Sequence, residues 1–345
     1  MDQMQSTRSK LIELLSDNKD QYISGQRLSE QLHISRSAVW KQMKELEKAG
    51  YKIEGKAKMG YRILSSPDTI NEFTIQWGLD TNWLGKKVIH LKQTPSTQTL
   101  AHQLAQENTG HGTVVIADEQ TKGKGRMDRP WQSTRNKGIW MSIVLRPTIA
   151  PYLAPQLTLL AATVLADTIH EHTNVRPHIK WPNDILINNK KVAGILTEMQ
   201  AEQDQIQYVI IGIGINVNQD YLDLPNANYK ATSLKLETQK EWHMKQIVQS
   251  ILEKLENQYL AYMDKGFPNV KDKWESYGYK IGENILVKTL KDTWQGTFLG
   301  IAEDGALRVK TSSGETKKLY SVEIDWFKEE NKTYVKSPQF TRNER

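Results

Sequence analysis

At 345 residues the chain is long enough for two or three domains and a sizeable core. Its 38% hydrophobic and 25% charged residues are an ordinary globular mixture, and the absence of cysteine excludes disulfides, thiolate catalysis and cysteine-held metal together. The net charge of +6 is uneven: residues 1–66 hold 12 Lys/Arg against 8 Asp/Glu, while the other 279 hold 34 against 32. A basic N-terminal module on a nearly neutral body suggests a polyanionic partner. The start, MDQMQSTRSK, has no apolar signal region, and the longest near-apolar run, LTLLAATVLA from Leu157, is too short to span a bilayer. A cytoplasmic protein without a membrane partner is expected.

The first elements are helical. Leu11, Ile12, Leu14 and Leu15 mark a short amphipathic helix. Ser24 is placed to cap a second helix carrying Leu28 and Leu32. A tight turn at His33-Ile34 follows, and Ser35 caps a third helix with Val39, Met43 and Leu46 on one face. This is a helix-turn-helix spanning Gly25 to Lys44. Behind it Tyr51 and Ile53, then Tyr61 and Ile63, alternate as two strands around the basic tip GKAKMG, a wing. Arg36, Ser37, Trp40, Lys41 and Lys44 on the third helix suit base edges and phosphates of a major groove, and Lys56 and Lys58 suit the backbone. A basic helix face alone would equally fit a small protein-interaction domain; the turn, the cap and the wing together favour DNA. SSPD, Ser65 to Asp68, reads as a linker.

From Thr69 to Tyr277 strands and helices mix. Strands are predicted at Lys87–Leu91, Thr113–Ala117, Ile139–Leu145, Ile185–Ile187, Ala193–Met199 and Tyr208–Val217. Helices are predicted over Gln156–Ile169 and Glu241–Met263, the latter stopping at Gly266 and Pro268. Without regular βαβ alternation, the fold class is α+β around a mixed sheet. After Trp274 come short strands, Asn284–Thr289, Gly296–Ile301, Ala306–Thr311, Thr316–Tyr320 and Val322–Trp326, turning at Asp304-Gly305 and Ser313-Gly314. They predict a small SH3-like β-barrel. The expected domains are therefore 1–66, 67–275 and 276–327, with 328–345 a disordered charged tail.

GKGRMDRPW, Gly123 to Trp131, is neither helix nor buried strand. It is not a P-loop, since no G-x-x-x-x-G-K-[ST] occurs. GIGIN at Gly212–Asn216 has Val217 where a dinucleotide fingerprint needs its third glycine, and reads as a strand. H-E-x-x-H and G-x-S-x-G are absent too. What remains is a series of segments: TPSTQ at Thr94–Gln98, DEQTKGKGRMDRPW at Asp118–Trp131, KWPNDI at Lys180–Ile185, KVAGILTE at Lys191–Glu198 and GIGINVN at Gly212–Asn218. In this order they closely resemble the biotin–protein ligases. With the winged helix in front, the chain resembles the bifunctional bacterial form, which also represses biotin synthesis and uptake genes.

That resemblance implies a class II synthetase-like central domain. It implies ATP and biotin as substrates with Mg²⁺, a biotin carboxyl carrier protein as acceptor, operator DNA, and a homodimer loaded with biotinyl-5′-AMP. By matching position, Ser96, Thr97 and Gln98 would meet biotin's ureido end, and Gln120 would make another biotin contact. Gly123, Lys124, Gly125 and Arg126 would form the ligand loop, and Lys191, with Gly194 nearby, would lie at the carboxylate and phosphate. Arg126 and Lys191 are the expected charge stabilisers, with Arg129 and Lys180 in support. Trp131 would pack on the adenylate, Asn183 lie beside it, Asn216 meet the adenine and Asp184 hold Mg²⁺. A glycine-rich cationic loop suits this chemistry, because its N–H groups approach phosphate while its cations offset charge. Several of these residues also admit purely structural roles: Gly194 in the strand, Gln98 in a turn, Glu198 paired with a cation, Trp181 and Pro182 shaping a loop. Two departures stand out, Lys124 where the family commonly has arginine, and Pro95 before Ser96. A sensor without catalysis, a lipoate ligase and a ligase with a vestigial winged helix are the rival readings.

Overall fold

The computed structural model describes residues 7–18, 21–224, 230–289, 292–320 and 322–326; the expected tail 328–345 lies outside them. Three helices open the chain: α1 (Thr7–Asp17), α2 (Gly25–Leu32) and α3 (Arg36–Lys48). Ser24 and Ser35 cap α2 and α3, accepting from Arg27 N and Ala38 N at 3.1 Å, and His33 ends α2 in the left-handed region. Leu11, Ile12, Leu15, Leu28, Leu32, Val39, Met43 and Leu46 make one buried core. The wing is β1 (Lys52–Lys56) against β2 (Gly60–Ser65), with Glu54 opposite Arg62 and ion-paired to it at 2.8 Å. Gly60 is obligatory: its φ is +118°, and a Cβ would lie 2.0 Å from Ile23 O.

The winged helix does not hang on a free linker. Short α4 (Glu72–Gln76) contributes Phe73 to that first core, joined by Trp77 just beyond it, and Gly78 N donates to Ser16 Oγ at 2.8 Å. Within SSPD, Asp68 pairs with His243, and Ser66 accepts from Lys245 Nζ at 2.5 Å. An expected linker is thus a braced segment.

The body is a seven-stranded mixed sheet of order β3-β4-β5-β9-β8-β7-β6. Its strands are β3 (Val88–Leu91), β4 (Val114–Ala117), β5 (Gly138–Leu145), β6 (His178–Lys180), β7 (Asp184–Ile187), β8 (Lys190–Glu202) and β9 (Gln205–Asn216). β3 and β4 run parallel; every other neighbouring pair is antiparallel. Helix α5 (Thr97–Gln106), capped by Ser96, buries Ala101 and Ala105 against Val115, Val144 and Ile210. It was not predicted, and neither were α4, β6 or α7 (Leu234–Thr238).

Helix α6 (Ala154–Thr173) is the core helix. With the preceding turn it is long and apolar enough to cross a membrane, yet 72% of its most apolar stretch is buried inside the protein. Helix α8 (Met244–Lys265) begins three residues later than predicted: Trp242 is held by Asn218 through N→Oδ1 and Nδ2→O bonds, both 2.9 Å, and Glu241 pairs with Lys235. Pro268 opens α9 (Pro268–Tyr277), where its missing N–H costs nothing.

The chain divides into two compact units. The larger holds residues through Tyr279 with Glu303–Gly305, and Tyr279 N donates to Ile179 O at 2.9 Å. The smaller is a five-stranded antiparallel sheet of order β13-β12-β11-β10-β14. It consists of β10 (Asn284–Lys288), β11 (Thr293–Ile301), β12 (Leu307–Thr311), β13 (Thr316–Leu319) and β14 (Glu323–Asp325), and buries Ile285, Val287, Phe298, Leu307 and Val309.

Candidate active site and nucleic-acid interface

The cleft is a row of cross-strand pairs on one face of the sheet. Residues Gly194, Leu196 and Glu198 of β8 stand opposite Gly214, Gly212 and Ile210 of β9, and Trp140 and Ser142 of β5 pair with Gly214 and Gly212. Alternation along a strand puts all of these on the same side. Val209, Ile211, Ile213 and Ile215 alternate with them and are buried on the opposite face.

Glycine is required along this row because other groups occupy the Cβ space. A Cβ on Gly214 would lie 2.7 Å from the Trp131 ring, one on Gly194 would lie 3.1 Å from both Trp131 and Lys191, and one on Gly212 would lie 2.5 Å from Gln98 Oε1. The indole therefore lies over two facing glycines. Its Nε1–H is buried and finds no acceptor among the described residues, as expected of a donor kept for a ligand.

At one end sit the neutral polar groups. Thr97 and Gln98 occupy the first turn of α5, so Gln98 is a buried helix residue rather than a turn residue. Thr97 N and Oγ1 lie 2.9 and 3.1 Å from Gln120 Oε1, Gln120 Nε2 donates to Ser133 Oγ at 2.8 Å, and Thr97 Oγ1 meets Ser142 Oγ at 2.9 Å. Ser133 and Ser142 went unnoticed in the sequence, since a serine carries no pattern of its own.

At the other end cations converge. Lys191 Nζ is 2.6 Å from Asp184 Oδ1 and 5.0 Å from the Trp131 ring centroid. Arg126 donates to Asn183 Oδ1 at 3.2 Å, and Asn183 is strapped to β8 by its Nδ2 to Ile195 O at 2.8 Å. Desolvation lowers the Arg126 pKa; Asp184 opposes this and Arg129 adds to it. Burial likewise lowers the Lys180 pKa; Asp184 resists, while Lys191, Lys230 and Arg129 reinforce it. Charges crowded this way favour a bound polyanion. Lys230 was missed: it arrives through Lys191 N→Lys230 O at 2.7 Å and a parallel bridge between Lys191 and Ala231.

The loop between the two ends folds on itself. Gly125 N donates to Arg129 O at 2.8 Å and Trp131 N to Gly123 O at 2.9 Å, while Met127 and Asp128 adopt positive φ. Lys124, the departure from arginine, lies 3.6 Å from Asp128 and is half exposed. Asn216, expected at adenine, is 5% exposed, donates to Thr232 O at 2.9 Å and accepts from Gln219 Nε2 at 3.2 Å. Asp184, the Mg²⁺ candidate, is ion-paired to Lys191. No group of three or more His, Cys, Asp or Glu suited to a metal occurs among the described residues. Trp181, across a cis bond from Pro182, is buried and donates to Gly305 O at 3.2 Å, a structural anchor.

Apart from the cleft, α3 presents Arg36, Ser37, Trp40, Lys41 and Lys44 outward, all exposed, beside an open hollow of about 760 Å³. Lys44 pairs with Glu47 at 2.6 Å, an exposed bond that a phosphate can replace at little cost. Lys56 and Lys58 are exposed at the wing.

A glycine-floored cleft with neutral polar groups at one end and cations at the other, on a chain that also carries a winged helix, defines a class: proteins that pair an anionic-ligand site with a nucleic-acid-binding module. Comparison with known proteins narrows it. Models described as the Biotin/lipoate A/B protein ligase family, HTH domain and Biotin protein ligase C terminal domain match residues 90–216, 7–62 and 280–325. The Bifunctional ligase/repressor BirA of Bacillus subtilis is 46% identical over 324 residues, covering 93% of this chain and 99% of that protein. Its Escherichia coli namesake is 30% identical over 229 residues, 63% of this chain and 69% of that one. A solved biotin protein ligase from Aquifex aeolicus, in complex with biotin and ATP, superposes with TM-score 0.60 at 31% identity over 70% of this chain and 99% of that one. The chain belongs to the biotin protein ligases, in their bifunctional ligase/repressor form.

Proposed function

We propose that the protein activates biotin with ATP, passes it to a lysine of a carrier protein and, holding biotinyl-5′-adenylate, dimerises on operator DNA. The observation that carries this reading is the convergence of Arg126, Lys180 and Lys191 on Asp184 at the end of the glycine row. In the first step a biotin carboxylate oxygen attacks the α-phosphorus of ATP. The bond from that phosphorus to the bridging oxygen breaks, and pyrophosphate leaves. In the second the acceptor amine attacks the acyl carbon, AMP departs and one proton is released. No enzyme nucleophile enters; the protein aligns two anions and offsets the charge between them. Lys191 and Arg126 act at the α-phosphate, Arg129 and Lys180 at the outgoing pyrophosphate, and Ser96, Thr97 and Gln120 at the ureido ring. Mg²⁺ arriving with ATP would offset the phosphate charge, and Asp184, held by Lys191, would be the carboxylate to meet it.

Biotin-dependent exchange of labelled pyrophosphate into ATP tests the first step. Exchange with biotin and none with lipoate is expected; the reverse would move the chain to lipoate chemistry, and none with either would leave a sensor. Gly214→Ala is expected to shorten the lifetime of the bound adenylate about ten-fold, because its methyl displaces the indole. An unchanged lifetime would remove Trp131 from the adenylate.

The winged helix supports the repressor half. With Lys41 and Lys44 both changed to alanine, operator affinity should fall, and the slope of log K against log salt should flatten by up to about 2. A gel shift across a salt series, with and without biotin plus ATP, reads this. Ligation falling in parallel would contradict the division of labour.

A further inference from the structure

Glu198 plays no part in that chemistry, yet it closes the ureido end of the row, two residues beyond Leu196 on the same face of β8. It accepts from Gln98 Nε2 at 2.8 Å and meets His102 Nε2 at 3.2 Å, both at the same Oε2. Gln98 and His102 stand one turn apart on α5, so a single helix holds this carboxylate with two side chains.

We propose that Glu198 is a positioning residue: it fixes the side-chain amide of Gln98, and through it the donor–acceptor polarity of the ureido site. Gln98 is 5% exposed, and its amide could sit in either of two orientations. As placed, Nε2 faces three oxygens, Glu198 Oε2 at 2.8 Å, Leu196 O at 3.4 Å and Ile210 O at 3.5 Å, while Oε1 accepts from Ser142 Oγ at 3.0 Å. Rotated by half a turn, the amide would set an oxygen against a carboxylate and two carbonyls.

The consequence travels along the network. With its one proton on Gln98, Ser142 cannot donate to Thr97, 2.9 Å away. The Thr97 hydroxyl then keeps its lone pairs for a ligand N–H. A rotated amide would donate to Ser142 and turn the Ser142 proton onto Thr97, using one of the two lone pairs with which Thr97 could accept a ureido N–H. Hydrogen bonds from His102 and Gln98 hold the Glu198 pKa below the ordinary carboxylate value, with burial opposing, so the acceptor stays ionised.

The inference rests on the cleft being a biotin site, and one experiment separates the two. Pyrophosphate exchange is measured for the full-length wild type, Glu198→Ala and Glu198→Gln, with biotin and ATP varied in turn. For Glu198→Ala, the KM for biotin should rise about ten-fold, the size of one partly exposed charge-assisted hydrogen bond, with kcat and the KM for ATP within about two-fold of wild type. Glu198→Gln keeps an acceptor oxygen for Gln98 and should recover most of that loss. A wild-type biotin KM in Glu198→Ala, or a Gln variant as weak as the Ala variant, would overturn the positioning role. A wild type without biotin-dependent exchange would instead overturn the biotin reading itself.

Discussion

Lys191→Ala should slow biotin-dependent pyrophosphate exchange by about 10²–10³-fold, the cost of removing one pre-placed charge stabiliser from a low-dielectric site. The backbone survives the change. Lys191 N and O stay bonded to Lys230 O at 2.7 Å and Thr232 N at 2.9 Å, and β8 keeps its register with β7 and β9. What disappears is the cation 2.6 Å from Asp184. Asp184 then faces incoming phosphate without its directly paired cation, so the loss combines missing attraction with added repulsion. Arg126 and Lys180 remain, and residual exchange above background is expected from them. Steady-state exchange with both substrates varied distinguishes the roles: a fall in kcat marks transition-state stabilisation, whereas a rise in biotin KM alone would reassign Lys191 to uniform binding.

Glu256→Ala should produce a large stability loss, about 3–5 kcal/mol, because it leaves several buried donors without an acceptor. Glu256 is 2% exposed on α8, and it collects Asn82 N at 2.6 Å, Trp83 N at 3.0 Å, Leu84 N at 2.8 Å and Asn82 Nδ2 at 3.2 Å. Truncation strands buried donors, each costing about 1–3 kcal/mol if left dry. Urea unfolding should show a lower midpoint at unchanged slope; a loss of unfolding free energy below about 0.5 kcal/mol would show that water replaces the carboxylate. Burial by itself would raise the Glu256 pKa, but the bonds from Asn82, Leu84 and Trp83 outweigh it and hold the value below that of a free glutamate. The folded state therefore binds this proton less readily than the unfolded chain. The stabilisation is complete above the free-glutamate pKa of about 4.3 and is lost as pH falls through the depressed folded value. The Ala variant should lose this part of the acid dependence.

The winged helix was legible because its signals are local. Ser24, Ser35, a left-handed His33 and the apolar spacing of α2 and α3 all act within a few residues. Six of the seven strands of the main sheet were legible too, from their apolar stretches; β6, three residues with a single buried one, was not. Helix α5 was not, since its buried positions include Ala101 and Ala105, which carry little hydrophobic contrast. The stop expected at Gly266 and Pro268 holds, since α8 ends at Lys265 with Gly266 as its cap, but the fixed φ of Pro268 serves equally well to start α9, which the pattern does not announce. In the candidate site the family motifs supplied Thr97, Gln120, Arg126 and Lys191. Gly212 and Gly214 had a readable signal, glycines at alternate positions of an otherwise apolar strand, which marks a close approach from one face.

By itself, the sequence determined that a basic winged helix precedes a mixed-sheet body, that a cationic glycine loop lies in that body, and that the motifs are those of biotin ligases. Only the tertiary structure decided which residues share a place. It set Lys230 beside Lys191, Gln98 over Gly212, Trp131 over Gly194 and Gly214, and Glu256 beneath the backbone of Asn82 to Leu84. The reason is physical. Capping, periodicity and turns are energies between near neighbours in the chain, whereas a paired strand or a buried carboxylate joins residues whose separation no local pattern records.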